Sequence, residues 1–215
     1  MVDMMTDPIE RKRLAILTIF LLALSALFSW VVTPWLWSRL EIPPFYSRII
    51  FNTICVLLFL FVPNCNPFTW SRMLVDEKKR RPRYKLHRNI AVGLSFLVVF
   101  LRAAGAYYFN HHVDDWKPEM NNIPYDTFAF LLGAFSEEIL CKAGLLRILL
   151  ELKIPRPLSL AVVCAIFALI HFNFIPLFFA VIFFMEMFFL LVFSLYPSIV
   201  FVAFLHFACN ISIFV

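Results

Sequence analysis

The sequence predicts an all-α fold, a polytopic transmembrane helix bundle of about six to eight spans, and three observations carry that reading. Of the 215 residues, 62% are hydrophobic and 15% charged; a soluble domain carries roughly 45–50% apolar and ~25% charged residues. The mean hydropathy is +0.85. Charges fall in short islands between long apolar runs, and a helix needs about 20 apolar residues to cross the hydrocarbon core. This excludes an ordinary water-soluble globule and a disordered chain. The 4 glycines argue against a Gly-rich nucleotide loop. Cys55, Cys65, Cys141, Cys164 and Cys209 have no paired spacing and read as small apolar residues, not as a disulfide or zinc framework.

Candidate spans lie near 14–37, 46–63, 89–109, 127–150, 158–175, 177–195 and 197–215. The first follows Arg11–Arg13 and continues through Trp30, Trp35 and Trp37, which suit an interfacial belt; it reads as an uncleaved anchor rather than a signal sequence. The second precedes a basic stretch: eight of the 19 Lys/Arg fall between Arg72 and Arg88. Such excesses mark cytoplasmic flanks, so the N-terminus and a basic loop over 64–88 are placed in the cytoplasm. The third span leads to the acidic 110–126 loop outside, and the fourth returns to Arg147, Lys153 and Arg156 inside. The last three are short, joined at Pro176 and Pro197, and seven spans put the C-terminus outside. The chain is an integral, multi-pass membrane protein in this reading, with the bilayer as partner. No aromatic–basic interleaving accompanies the cations, so nucleic acid is not an expected partner. The segment 1–126 supplies N-terminal helices and topology; 127–215 carries the motifs.

Ionisable side chains inside membrane helices are costly and usually functional. The C-terminal part concentrates them: Glu137 and Glu138 in FLLGAFSEEILCKAGLL, His171 in CAIFALIHFNF, Glu186 in FFMEMFF, and His206 with Asn210 in VAFLHFACNISI. Adjacent glutamates point about 100° apart on a helix, so Glu137 and Glu138 are expected not to face one small site together. Glu138 and Lys142 stand four apart in the favourable order and are expected to pair. His206 shares a face with Asn210, and Phe167 with His171. Glu186 is expected to pair with a basic residue on a neighbouring helix.

The ordered trio Glu137-Glu138-x-x-x-Lys142, Phe167-x-x-x-His171 and His206-x-x-x-Asn210 resembles the motifs of the CAAX-protease and bacteriocin-processing (Abi) family. That family comprises intramembrane proteases with the pattern EExxxR, FxxxH and HxxxN or HxxxD. The resemblance covers about 127–215. It departs where the family Arg is Lys142, flanked by Cys141 and Ala143 in place of an aromatic and a Gly. Arg offers a planar fork of donors that Lys does not reproduce.

The resemblance implies an intramembrane endopeptidase acting on membrane-associated peptides or proteins, of prenylated CAAX type or bacteriocin type. It assigns Glu137 as the catalytic glutamate, His171 as its partner in activating water, and His206 with Asn210 as oxyanion ligands. Glu138, Lys142 and Phe167 take supporting places. Peptide hydrolysis needs an activated water, oxyanion stabilisation and a proton for the leaving amine, which these residue types can supply. A divalent metal is the alternative: Glu137, His171 and His206 would also make a zinc site with an open position for water, although no HExxH is present. Two further readings stay open. One is a non-proteolytic scaffold or bacteriocin-immunity protein of the same fold; the other is an ion or proton carrier using Glu137, Glu138 and Glu186.

Overall fold

The computed structural model describes residues 8–40, 44–62, 65–112, 123–171 and 176–214, and these form helices and their connections. In chain order, α1 spans Pro8–Leu27 and continues through a π-helical turn, Phe28–Val32, into α2, Thr33–Leu40. The widened turn ends two residues before Pro34, whose ring has no N–H to give to the preceding turn. Next come α3 (Pro44–Phe61), α4 (Pro67–Lys79) and α5 (Tyr84–His112). Then α6 (Ile123–Glu138) runs through a π-helical segment, Ile139–Leu146, into α7 (Arg147–Glu151). The chain closes with α8 (Arg156–Ile170), α9 (Pro176–Leu195), α10 (Ile199–Ile211) and a 3₁₀ turn, Ser212–Phe214.

Helix α4 replaces most of the loop expected over 64–88. Asn66 caps it, its Oδ1 accepting from the Phe68 and Thr69 amides at 3.0 and 3.1 Å, with Pro67 in the first turn. Trp70, Ser71 and Val75 are buried on one face, while Lys78 and Lys79 occupy the last turn, where cations favour the helix dipole. The cations had masked this amphipathic stripe. The five cysteines are free and buried, as expected of small apolar residues.

Helix α5 is long and apolar enough to cross a membrane over Tyr84–Tyr108, and among the described residues it alone meets that length. Its apolar side chains point outward: Phe96 is 74% and Phe100 68% exposed. Ile50–Phe61, Arg156–Ile170, Phe179–Leu195 and Ile199–Ile211 are shorter apolar helices.

The segment bearing the two glutamates lies at the centre of the packing. Helix α6 packs on α3 and α10, α8 on α9, and the Ile139–Leu146 segment on α1. Gly144 permits this last approach, because a Cβ there would come within 2.9 Å of Thr18 Oγ1 and 3.0 Å of Phe59 Cζ. Every residue from Glu138 to Arg147 is buried.

Candidate active site

Three helices deliver the site. Glu137 and Glu138 end α6, His171 follows the last turn of α8, and His206 lies inside α10. Beyond Glu138 the helix widens, with the Arg147 N–H reaching the Lys142 carbonyl five residues back; π segments of this kind occur frequently at functional sites. Ser136 anchors the preceding turn, its hydroxyl donating to Asn52 Oδ1 on α3 at 2.8 Å. Asn52 thus ties the N-terminal half to the motif helix, a contact no motif announced.

Glu137 faces both imidazoles. Its Oε1 is 3.5 Å from His171 Nε2 and its Oε2 is 3.6 Å from His206 Nε2. Its side chain is 31% exposed, whereas those of Glu138 and Lys142 are fully buried. The His171 ring is held from behind, with Nδ1 2.9 Å from the Phe167 carbonyl and the Phe167 ring 4.4 Å away. A neutral imidazole that donates Nδ1–H to that carbonyl turns a lone pair at Nε2 toward Glu137 and the open side.

His206 is fixed more tightly. Its Nδ1 lies 2.9 Å from Glu138 Oε1, which accepts from it, while Phe189 stacks at 4.7 Å and Phe167 meets it edge-on at 6.1 Å. The two glutamates therefore do share a residue, contrary to the expectation that they face apart. The imidazole bridges them because its two nitrogens look in different directions, one toward each carboxylate.

Beneath this pair is a dry ionic triad. Lys142 Nζ lies 2.5 Å from Glu138 Oε2 and 2.8 Å from Glu186 Oε1, all three side chains being fully buried. The i,i+4 pair matches expectation, and Glu186 finds a basic partner on a neighbouring helix as anticipated. That the partner is the same lysine was not foreseen. One ammonium thus serves two carboxylates on separate helices, hydrogen-bonding Glu186 Oε1 while Glu138 Oε2 and Glu186 Oε2 have no hydrogen-bond partner among the described residues; a planar guanidinium would meet them with a different geometry. Asn210, also on α10, is half-buried, and its side chain has no hydrogen-bond partner among the described residues.

Zinc needs its ligands disposed around one point at about 2.0–2.2 Å. Here each imidazole faces a different oxygen of Glu137. Among the described residues no group of three His, Cys, Asp or Glu side chains is arranged to hold a metal ion.

A carboxylate thus stands between two imidazoles inside a helical bundle with outward apolar faces. Residues 120–212 match the family model described as type II CAAX prenyl endopeptidase Rce1-like. This segment is thus similar to the family whose motifs the sequence resembles, and all the site residues named above except Asn52 lie within it. No curated protein and no solved structure shows significant similarity to the chain.

Proposed function

We propose that the chain is a multi-pass intramembrane endopeptidase that hydrolyses a peptide bond in membrane-associated substrates. The observation carrying this reading is Glu137: a solvent-reachable carboxylate with an imidazole at each oxygen, 3.5 and 3.6 Å away. Glu137 takes the proton from an attacking water that the lone pair at His171 Nε2 helps to orient. The tetrahedral oxyanion is met by the Asn210 amide and by Nε2–H of a His206 that carries protons on both nitrogens, its Nδ1–H being held by Glu138. The proton on Glu137 then passes to the leaving amine. Lys142 and Glu186 do not touch substrate; they hold Glu138, and through it the His206 ring.

Several helices cross the bilayer in this reading, α5 by itself and the shorter apolar helices with their neighbours. Phe184 on α9 is 60% exposed, and an apolar face of this kind is stable against lipid rather than water. The basic end of the bundle, with α4 and the α7–α8 turn, lies in the cytoplasm. Substrates with a C-terminal CAAX-type anchor fit the family match, and they would reach the site from the membrane plane.

The test is cleavage of prenylated and unprenylated membrane-associated peptides by purified wild type and Glu137→Gln in detergent. Turnover by wild type alone, insensitive to chelators, is expected. Activity lost to a chelator and restored by zinc would replace this mechanism with the metal one. Substrate binding without turnover would favour the scaffold or immunity reading.

A further inference from the structure

At the opposite end of α8 from His171, an open cavity of about 440 Å³ lies between α4, α7, the start of α8 and the α9–α10 turn. Arg156 on its wall is separated from His171 by 15 residues of helix, roughly 22 Å at 1.5 Å per residue. The cavity is therefore distinct from the candidate active site. Two features of its lining define what it can hold.

The first is charge. Its wall includes Lys78, Arg81, Arg147, Lys153 and Arg156, against the carboxylates Glu77 and Glu151. Glu77 is engaged by Arg81 at 2.7 Å, and Glu151 faces Arg11, from outside the cavity, at 3.7 Å. Lys78, Lys153 and Arg156 have no carboxylate partner among the described residues. Lys78 donates instead to the Ser194 carbonyl and, at 3.4 Å, to that of Leu195. Burial, with Arg156 and Arg81 beside it, holds the Lys78 ammonium below the ordinary lysine range. Lys153 sits in the left-handed region, φ 59°, at the end of α7. The Lys153 and Ile154 amides close that helix on the Leu150 and Leu149 carbonyls, each at 3.0 Å, in a turn that usually takes glycine. A strained backbone thus carries a cation to the rim.

The second feature is an apolar floor. Trp70 stacks on Phe193 at 5.8 Å, Leu74 and Leu160 flank them, and the Arg147 guanidinium lies 5.7 Å above the Trp70 ring. A soluble anion needs the cations but not this floor. An anionic amphiphile uses both.

We propose that this cavity binds an anionic phospholipid of the adjoining leaflet, its phosphate on Lys78, Lys153 and Arg156 and its acyl chain over Leu74, Leu150 and Leu160, which the Trp70–Phe193 pair backs. Basic pockets between helices at the cytoplasmic boundary are suited to such headgroups. The lipid neutralises the unpaired cations and ties α4 to the α7–α8 and α9–α10 turns. The inference does not depend on proteolysis.

The experiment is native mass spectrometry and thermal melting of the full chain in detergent, titrated with dioctanoyl phosphatidylglycerol, dioctanoyl phosphatidylcholine or inorganic phosphate. Saturable one-to-one binding and a raised melting temperature are expected with phosphatidylglycerol only. Lys153→Gln with Arg156→Gln should weaken it by roughly tenfold or more. Exposed Arg83→Gln with Lys85→Gln, from the same basic stretch but outside the cavity, should leave it unchanged. Lys153→Gly guards against misfolding, because it relieves the left-handed strain and should hold or raise the lipid-free melting temperature while still weakening binding. Equal affinity for phosphatidylcholine, equal damage from the control pair, or phosphate binding as tight as the lipid would each overturn the proposal.

Discussion

Lys142 and Glu186, 44 residues apart in the chain, meet at 2.8 Å with both side chains fully buried. The same ammonium holds Glu138 at 2.5 Å, so one lysine compensates two carboxylates from two helices. Removing one member of a buried pair costs about 3–5 kcal/mol, because a charge is left in a dry site.

Lys142→Ala should therefore be severely destabilising. Adding Glu138→Gln should recover only part of the loss, because Glu186 keeps its buried charge. Adding Glu186→Gln as well should recover more. Melting temperatures of the single, double and triple variants in detergent check this, and the coupling is read as departure from additivity. Full recovery in the Glu138→Gln, Lys142→Ala double variant would show that Glu186 is not part of the unit. Lys142→Arg should be less harmful than Lys142→Ala, since the positive charge is kept.

The two glutamates should separate by function. Glu137→Gln retains size but cannot take a proton, so cleavage should disappear while the melting temperature holds. Glu138→Gln should lower both stability and turnover, because it weakens the ion pair with Lys142 and the acceptor for His206 Nδ1. A hydrogen bond to a charged group contributes about 1.5–3 kcal/mol, so a turnover loss of roughly tenfold or more is expected. Unchanged turnover in folded Glu138→Gln would break the link between Glu138 and the His206 ring.

How much of this was legible in the sequence depends on chain separation. Glu138–Lys142 could be read because one turn of helix fixes the spacing, and His171 because Phe167 stands one turn before it. The partner of Glu186 could not be identified, since nothing local encodes which helix packs beside it. The widening after Glu138 was hidden too, because a shift in hydrogen-bond register leaves the apolar composition unaltered. Asn52 and Phe189 look like ordinary residues of apolar helices, and only packing gives them a place at the site. Helix α4 had a local signal in Asn66-Pro67 with Trp70 and Val75, outweighed by the cations that follow.

Gly144 should tolerate no side chain. A methyl group there would meet Thr18 Oγ1 at 2.9 Å and both Thr18 Cγ2 and Phe59 Cζ at 3.0 Å. Overpacking of this kind costs about 1–3 kcal/mol. Gly144→Ala should lower the melting temperature accordingly, and Thr18→Ala in the same chain should recover part of the loss, because two of the three close atoms belong to Thr18. If Thr18→Ala gives no recovery, α1 is not the element that Gly144 admits.

Asn210 offers the clearest separation of chemistry from architecture. Its neighbour one turn earlier, His206, is buried and held by Glu138 and Phe189, so removing it damages packing as well as chemistry. Asn210 is half-buried and, among the described residues, its amide supports no other group. A structural role predicts a stability loss on truncation; an oxyanion role predicts a turnover loss with stability intact. Asn210→Ala should keep the melting temperature and substrate KM close to wild type while kcat falls about 100- to 1000-fold, the usual effect of removing one oxyanion donor. Asn210→Asp should be worse than alanine, because a carboxylate repels the developing negative charge. Substitution by Gln, one methylene longer, should also fail to restore turnover, since the donor must reach a fixed point. Steady-state kinetics with a fluorogenic membrane-anchored peptide, run beside thermal melts of the same preparations, distinguishes the outcomes. Wild-type kcat in Asn210→Ala would remove this residue from the oxyanion site and leave His206 as the sole donor assigned to it.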